Sequence, residues 1–166
     1  MAKQTEDPIS DAKKKEIKDK IHKEAAPHIA ALIETQKIDI AAFRAAEAQH
    51  WKVYQHVVDK QIQNTGFDAE DAHLQAEADP VTKKLKNEEI RAHERADTAE
   101  NNLWVKIKAI SARLQGRDKA YATALGGEMI SNIHDIAEKL VAQDQHDEQN
   151  PNKHLPNRQA SRQPHK

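Results

Sequence analysis

Two carboxylate–histidine pairs are the residues of this chain best suited to chemistry. Glu47 lies three positions before His50, and Glu70 lies three positions before His73. Residues three apart share one face of a helix, so each pair can present a carboxylate and an imidazole to the same metal ion. Di-iron helical bundles use two such pairs together with single carboxylates from two further helices. The spacing therefore makes a di-metal helical bundle one alternative function.

A simpler interpretation of the two pairs competes with metal binding. The chain contains 14 glutamates and 10 histidines, so this spacing arises readily by chance. Glu47 and His50 also lie near an apolar stripe of the same predicted helix, which includes Ile40, Phe43, Tyr54 and Val57. A polar layer in such a stripe can set the register between packed helices. We therefore expect no cofactor, and the metal site remains the alternative.

The sequence contains none of the common templates for catalysis. It has no phosphate-binding glycine loop, no nucleophile elbow and no His-Glu-x-x-His motif. It has no cysteine to act as a nucleophile or a metal ligand. Two residues each of Trp, Tyr and Phe are too few to line an aromatic ligand cavity. The prediction is a protein that is not an enzyme and takes no small-molecule substrate.

The composition predicts helices around a thin core. The chain has 26 alanines, whereas Ile, Leu, Val and Phe together number 30 of 166 residues. Alanine and the abundant Glu, Lys, Gln and Arg are the strongest helix formers. No apolar run reaches the roughly 18 residues of a membrane helix, and the charged N-terminus does not resemble a secretory signal. We expect no membrane insertion and a cytoplasmic location, or incorporation into a particle assembled in the cytoplasm.

Glycine and proline divide the sequence into helices. Pro27 predicts a kink or a break in the first helix, and Gly126-Gly127 predicts a bend, a break or a close helix crossing in the last. The fold class is all-α, an elongated helical bundle or helical hairpin of three to five helices with a disordered C-terminal tail. The predicted helices are 8–63, 68–78, 81–115 and 119–143. The predicted divisions are a disordered N-terminus (1–7), a helical domain (8–144) and a disordered basic tail (145–166).

An apolar stripe on the first long helix is the main candidate for a binding surface. Its members recur at spacings of three, four and seven, so they share one helix face. Because the chain has few large apolar residues for a core, we expect this stripe to contact both the second long helix and another subunit. The predicted function is a non-enzymatic helical assembly or interaction protein, such as a scaffolding or accessory component of a viral or secretion-related particle. The partner-binding candidates are Ile33, Ile40, Phe43, Trp51, Tyr54, Val58 and Ile62.

Basic segments support a second alternative, binding to nucleic acid. Residues 104–119 combine a tryptophan with five basic residues, and residues 151–166 hold four basic residues and no acid. Such groups can contact a phosphate backbone and stack on bases, although an isoelectric point near 6.8 is unlike that of dedicated nucleic-acid-binding domains. The candidate residues are Trp104, Lys106, Lys108, Arg113, Arg117, Lys119, Lys153, Arg158, Arg162 and Lys166.

Overall fold

Four α-helices make up the part of the chain that the structure describes. The computed structural model describes residues 9–64 and 66–149, without the side chains of 147–149. The helices are α1 (Asp11–Asn64), α2 (Ala69–Ala78), α3 (Pro80–Ala112) and α4 (Gly116–Gln149). The all-α prediction is confirmed, and no strand occurs among the described residues. No helix in these ranges is both long and apolar enough to cross a membrane.

α1 continues as one helix through Pro27. Its 54 residues extend over about 80 Å at 1.5 Å per residue. A proline inside a helix removes one backbone hydrogen bond, but Pro27 is exposed while Ala25 and Leu32 on either side are fully buried. Packing of the buried face therefore holds the helix together across the proline, and the sequence-based alternative of a break at Pro27 is excluded.

Short polar side chains determine where three of the helices begin. The Ser10 hydroxyl accepts a hydrogen bond from the backbone N–H of Lys13 at 3.1 Å, and α1 begins at Asp11 rather than at the predicted residue 8. Asp68 accepts from the N–H of Asp71 at the start of α2. Asp79 accepts from two backbone N–H groups at the start of α3. Each cap satisfies N–H groups that the first helical turn leaves without partners.

α1 and α3 pack antiparallel. Glu24 near the start of α1 pairs with Arg113 after the end of α3, and Asp39 further along α1 pairs with His93 earlier in α3. α4 packs against the first part of α1 and the second part of α3, and the main core lies where the three helices meet. Its largest fully buried side chains are Ile17, Ile21, Leu32, Leu103, Ile107 and Ile110.

The first half of α3 packs through alanine. Ala92, Ala96 and Ala99 are buried, and they precede the larger core residues of the same helix. Small side chains allow two helices to approach closely but bury little apolar area. A second, smaller core lies towards the end of α1, where Val57 and Val58 pack with Ala72 of α2. We call Ala92, Ala96 and Ala99 the alanine seam. The larger apolar side chains are concentrated elsewhere, where α1, α3 and α4 meet.

α4 extends beyond the predicted helix at both ends. It begins at Gly116 rather than residue 119 and continues to Gln149 rather than 143. Val141 is buried, so the last turns extend from a packed segment. The residues after it are mostly Gln, Asp, Glu and Ala, and several of these types favour helix. The predicted N-terminal segment 1–7 and residues 150–166 of the predicted tail lie outside the described residues.

Gly126 and Gly127 mark a close helix crossing and not a break. α4 is continuous through both residues. A Cβ atom placed on Gly126 would lie 2.5 Å from Cγ2 of Ile107, whereas one on Gly127 would lie 3.6 Å from the Trp104 ring. Only the first glycine therefore has no room for a side chain, and it allows α4 to approach α3.

We expect Gly126→Ala and Gly127→Ala to change stability in opposite directions. The added methyl at position 126 meets the fully buried Ile107, and overpacking of this kind costs about 1–3 kcal/mol, partly offset by about 1 kcal/mol of helix propensity. At position 127 the methyl makes an ordinary contact, so the gain of up to about 1 kcal/mol remains. Urea denaturation of both variants measures the difference. Equal stabilisation by the two substitutions would contradict the close crossing.

Candidate functional site

Most of the apolar stripe on α1 is used within the chain. Val58 is buried in the small core with α2, and Tyr54 packs against that core. Ile33 packs against the main core, and Ile40 is half-buried. Contacts within the chain thus cover these four residues to differing extents, and the expectation that the stripe also contacts another subunit stays a prediction.

The remaining three stripe residues are exposed. The exposed fraction is 52% for Phe43, 49% for Trp51 and 64% for Ile62. Phe43 and Trp51 line a groove between α1 and α3 with a volume of about 430 Å³. Ile90 of α3, which is 53% exposed and which the stripe did not include, lines its other side. Ile62 is not among the residues that line this groove.

We call this feature the α1–α3 groove and define it by the eight residues that line it. The buried Ala46 is its most covered member, and Glu47 and Lys86 bring charges of both signs to it. The full set is Phe43, Ala46, Glu47, His50, Trp51, Lys86, Glu89 and Ile90.

Among the described side chains, those of α4 contact a different side of α1 from the one that faces the groove. Ile133 of α4 belongs to the main core that all three helices share. Further on, Val141 and Asp144 of α4 lie beside Lys37 and Ala41 of α1. No α4 residue whose side chain the structure describes lines the groove, although Glu138 of α4 lies 3.9 Å from Arg44, the neighbour of Phe43. Two helices without a third on this side leave large side chains at their junction half-exposed.

A cluster of four rings beside the groove holds α2 against α1. Its members are His50, Trp51 and Tyr54 of α1 and His73 of α2. The His73 ring lies 4.4 Å from the Tyr54 ring and 5.5 Å from the Trp51 ring, between centroids. His50 Nε2 and His73 Nδ1 are 3.2 Å apart. A hydrogen bond between two imidazoles requires one nitrogen to carry the proton and the other to accept it. The tautomers of the two rings are therefore linked.

The two Glu-x-x-His pairs meet only through their histidines. Glu47 and Glu70 are exposed, and neither joins His50 and His73 in a group of three ligand atoms. The di-metal arrangement that the spacing suggests is thus not assembled by the described residues. The reason is geometric: α2 turns its histidine towards α1 and leaves the carboxylate of the same pair facing solvent.

The sequence analysis missed a second cluster of ionisable groups, between α1 and α3. His93 Nδ1 lies 3.0 Å from Asp39 Oδ2, and His93 Nε2 lies 3.6 Å from Asp97 Oδ2. A carboxylate oxygen of Glu89 lies within 4.8 Å of the ligand atoms of both Asp39 and His93. The spacing of four between Glu89, His93 and Asp97 was a visible signal for one helix face, but Asp39 lies 54 residues before His93.

The cluster raises the pKa of two of its members. The pKa of Glu89 lies above its usual 4.5, first because burial disfavours the charged form and then because of the negative charge of Asp39 and the hydrogen bond to it. The pKa of His93 lies above 6.5, first because of the hydrogen bond to Asp39 and then because of the charge of Asp97. Both groups therefore hold their protons more tightly in the folded protein than in the unfolded chain.

The described basic candidates, which lie at the end of α3, in the turn after it and at the start of α4, are partly engaged within the bundle. Trp104 packs against the main core, and Lys108 Nζ lies 5.7 Å from its ring centroid. Arg113 pairs with Glu24 at 2.6 Å. Lys106 and Arg117 are half-buried and Lys119 is exposed. The remaining candidates, Lys153, Arg158, Arg162 and Lys166, lie outside the described residues.

These contacts do not favour nucleic-acid binding through residues 104–119. The core contact of Trp104 limits its availability for stacking on a base, and the carboxylate on Arg113 competes with a phosphate. Nucleic-acid binding through these residues stays a prediction.

Comparison with known proteins gives no relative. No family model, no curated protein and no solved structure matches the chain.

The Asp39–Glu89–His93 cluster predicts a loss of stability as the pH rises. A raised folded pKa means that the stabilisation by His93 is complete below its unfolded value of 6.5 and is lost as the pH passes through the folded value. The raised pKa of Glu89 acts in the same direction from 4.5 upwards. In EDTA, thermal midpoints from about pH 5.5 to 8.5 should therefore decline less steeply for His93→Gln than for the wild type.

His22→Gln is the matched control for this measurement, since His22 is an exposed histidine of α1. We expect its midpoints to follow the wild-type pH dependence. The same flattening in both variants would show that the cluster is not responsible.

Proposed function

We propose that this chain is a non-enzymatic interaction protein that holds an amphipathic helix of a partner protein in the α1–α3 groove. The observation that carries the proposal is the group of three half-exposed large side chains, Phe43, Trp51 and Ile90, around one depression. Scattered exposed apolar residues are normal on a protein surface, but a contiguous apolar patch rimmed by polar residues is typical of an interaction site.

The size of the patch favours a single helix over a second copy of the chain. Large aromatic side chains present about 150–250 Å² each, so three half-exposed apolar groups offer roughly 300 Å². A stable complex of standard size covers about 800 Å² on each partner. The groove by itself falls short of the area that a stable complex with a second copy of the chain would need. Its apolar area matches a single helix that inserts two or three apolar side chains.

The architecture of the bundle also favours a helical ligand. Along the first part of α1, α4 packs as the third helix against α1 and α3 and contributes Ile130 and Ile133 to their shared core. At the groove no described segment of the chain occupies the corresponding third position. A partner helix there would extend the three-helix packing by the same mechanism, with apolar side chains at spacings of three and four facing Phe43 and Ile90.

The charges at the groove indicate the polar flanks of such a helix. Glu47, Lys86 and Glu89 give two carboxylates and one ammonium group. A partner with a basic residue beside its apolar side chains would complement the two carboxylates, and like charges placed there would be repelled. The wider role that we propose is a scaffolding or accessory component of a multi-protein assembly formed in the cytoplasm.

Selection of helical peptides from a display library against the full chain tests the proposal. We expect selected peptides to carry apolar residues at positions i, i+3 or i+4, and i+7, and to change the fluorescence of Trp51. Phe43→Ala and Ile90→Ala should each raise the dissociation constant about tenfold, because each removes roughly 1–2 kcal/mol of buried contact.

Val105→Ala provides the matched control. Val105 is 68% exposed on α3 and is not among the residues that line the groove, so its truncation should leave peptide affinity unchanged. Equal weakening by Val105→Ala, or a library without binders, would count against the groove. Dimers in sedimentation that Phe43→Ser dissociates would replace the partner helix by a second copy of the chain.

A further inference from the structure

We infer that Asp39, Glu89 and His93 form a binding site for a divalent transition-metal ion such as Zn²⁺, which joins α1 to α3. The site differs from the Glu47, His50, Glu70 and His73 set that the sequence spacing suggests. It does not rest on the docking function of the α1–α3 groove, although Glu89 contributes to both.

The geometry of the three residues suits a single ion. Their ligand atoms, one imidazole nitrogen and two carboxylate oxygens, all lie within 4.8 Å of one another. His93 Nδ1 and Asp39 Oδ2 are 3.0 Å apart. Ligand atoms that bind zinc at about 2.0–2.2 Å lie roughly 3–4 Å from each other around the ion, so only a small closure is needed.

The helices hold the three ligands on facing surfaces. Glu89 and His93 are four residues apart on α3, so they lie one turn apart on the same face. Asp39 approaches from α1, and its side chain is only 19% exposed. Because each ligand belongs to the middle of a long helix, the backbone at the site is already ordered before an ion binds.

The ligand types select the class of cation. An imidazole nitrogen with two carboxylates suits Zn²⁺, Ni²⁺, Co²⁺ or Cu²⁺, whereas Mg²⁺ and Ca²⁺ prefer oxygen ligands alone. Two neighbouring carboxylates repel each other when both are charged, unless a proton or a cation lies between them. A divalent ion would remove this repulsion, and three protein ligands would leave a position for water.

Asp97 supplies the partner that metal-binding histidines commonly have. With Nδ1 of His93 directed towards Asp39, the other ring nitrogen, Nε2, lies 3.6 Å from Asp97 Oδ2. A carboxylate at the far nitrogen holds the ring in the orientation and tautomer that binding requires, and loss of such a partner typically weakens metal affinity 10- to 100-fold. Asp97 would act as a positioning residue and not as a ligand.

Thermal unfolding of the EDTA-treated, dialysed full chain with added ZnCl₂ tests the site. We expect the midpoint to rise by about 3–6 °C at a zinc concentration about ten times the dissociation constant, and MgCl₂ to cause no rise. His93→Gln and Asp39→Asn should abolish the rise, and Asp97→Asn should weaken zinc binding about tenfold. CoCl₂ should give a visible absorption band that saturates at one ion per chain.

Controls separate this site from the other histidines. His134→Gln removes a half-exposed histidine that also lies near a carboxylate, Glu138, and should leave the rise intact. Midpoints in EDTA show whether each variant still folds. An absent rise in the wild type, a rise that survives both His93→Gln and Asp39→Asn, or a rise lost only in His50→Gln and His73→Gln would overturn the inference. None of these results depends on peptide binding in the groove.

Discussion

The close antiparallel packing of α1 against α3 is the interaction on which the other features of this protein depend. At one end the two helices share Ile21, Leu32, Leu103 and Ile107 in a core that α4 completes. Towards the other end the α3 side of the contact is made by alanines. Because alanine buries little apolar area, this half of the contact relies on the rigidity of two long helices that are anchored elsewhere.

The α1–α3 groove and the Asp39–Glu89–His93 cluster both arise in the weaker half of this contact. Small side chains bring the helices close enough for groups at the edges of the contact to meet, as Asp39 and His93 do. On the side of the pair that no described part of α4 covers, larger residues such as Phe43 and Ile90 stay half-exposed. This weaker half of the contact thus carries both half-exposed apolar side chains and a cluster of ionisable groups.

The proposed docking of a partner helix depends on the same contrast. The groove is lined by side chains from two helices, so a helix docked there would contact both. A metal ion at the neighbouring cluster would bridge the same two helices. The structure would then be stabilised at the point where its own apolar packing is weakest.

Local sequence determined the helices and most of their ends. Capping by Asp68 and Asp79, the glycine at position 66, whose φ is +93°, and the high content of strong helix formers act over a few residues, so they can be read without the fold. The alanine seam at Ala92, Ala96 and Ala99 was equally visible as a spacing. The single continuous α1 was not, because burial of Ala25 and Leu32 by other helices decides whether the chain continues through Pro27.

Only the tertiary structure decided which side chains are available for function. Val58 and Phe43 belong to the same apolar stripe, but α2 covers one and nothing in the described chain fully covers the other. His50 and His73 meet while their glutamates do not, and Asp39 reaches His93 across 54 positions of sequence. Spacing along a helix specifies which residues share a face, but the face that another helix covers depends on contacts between distant segments.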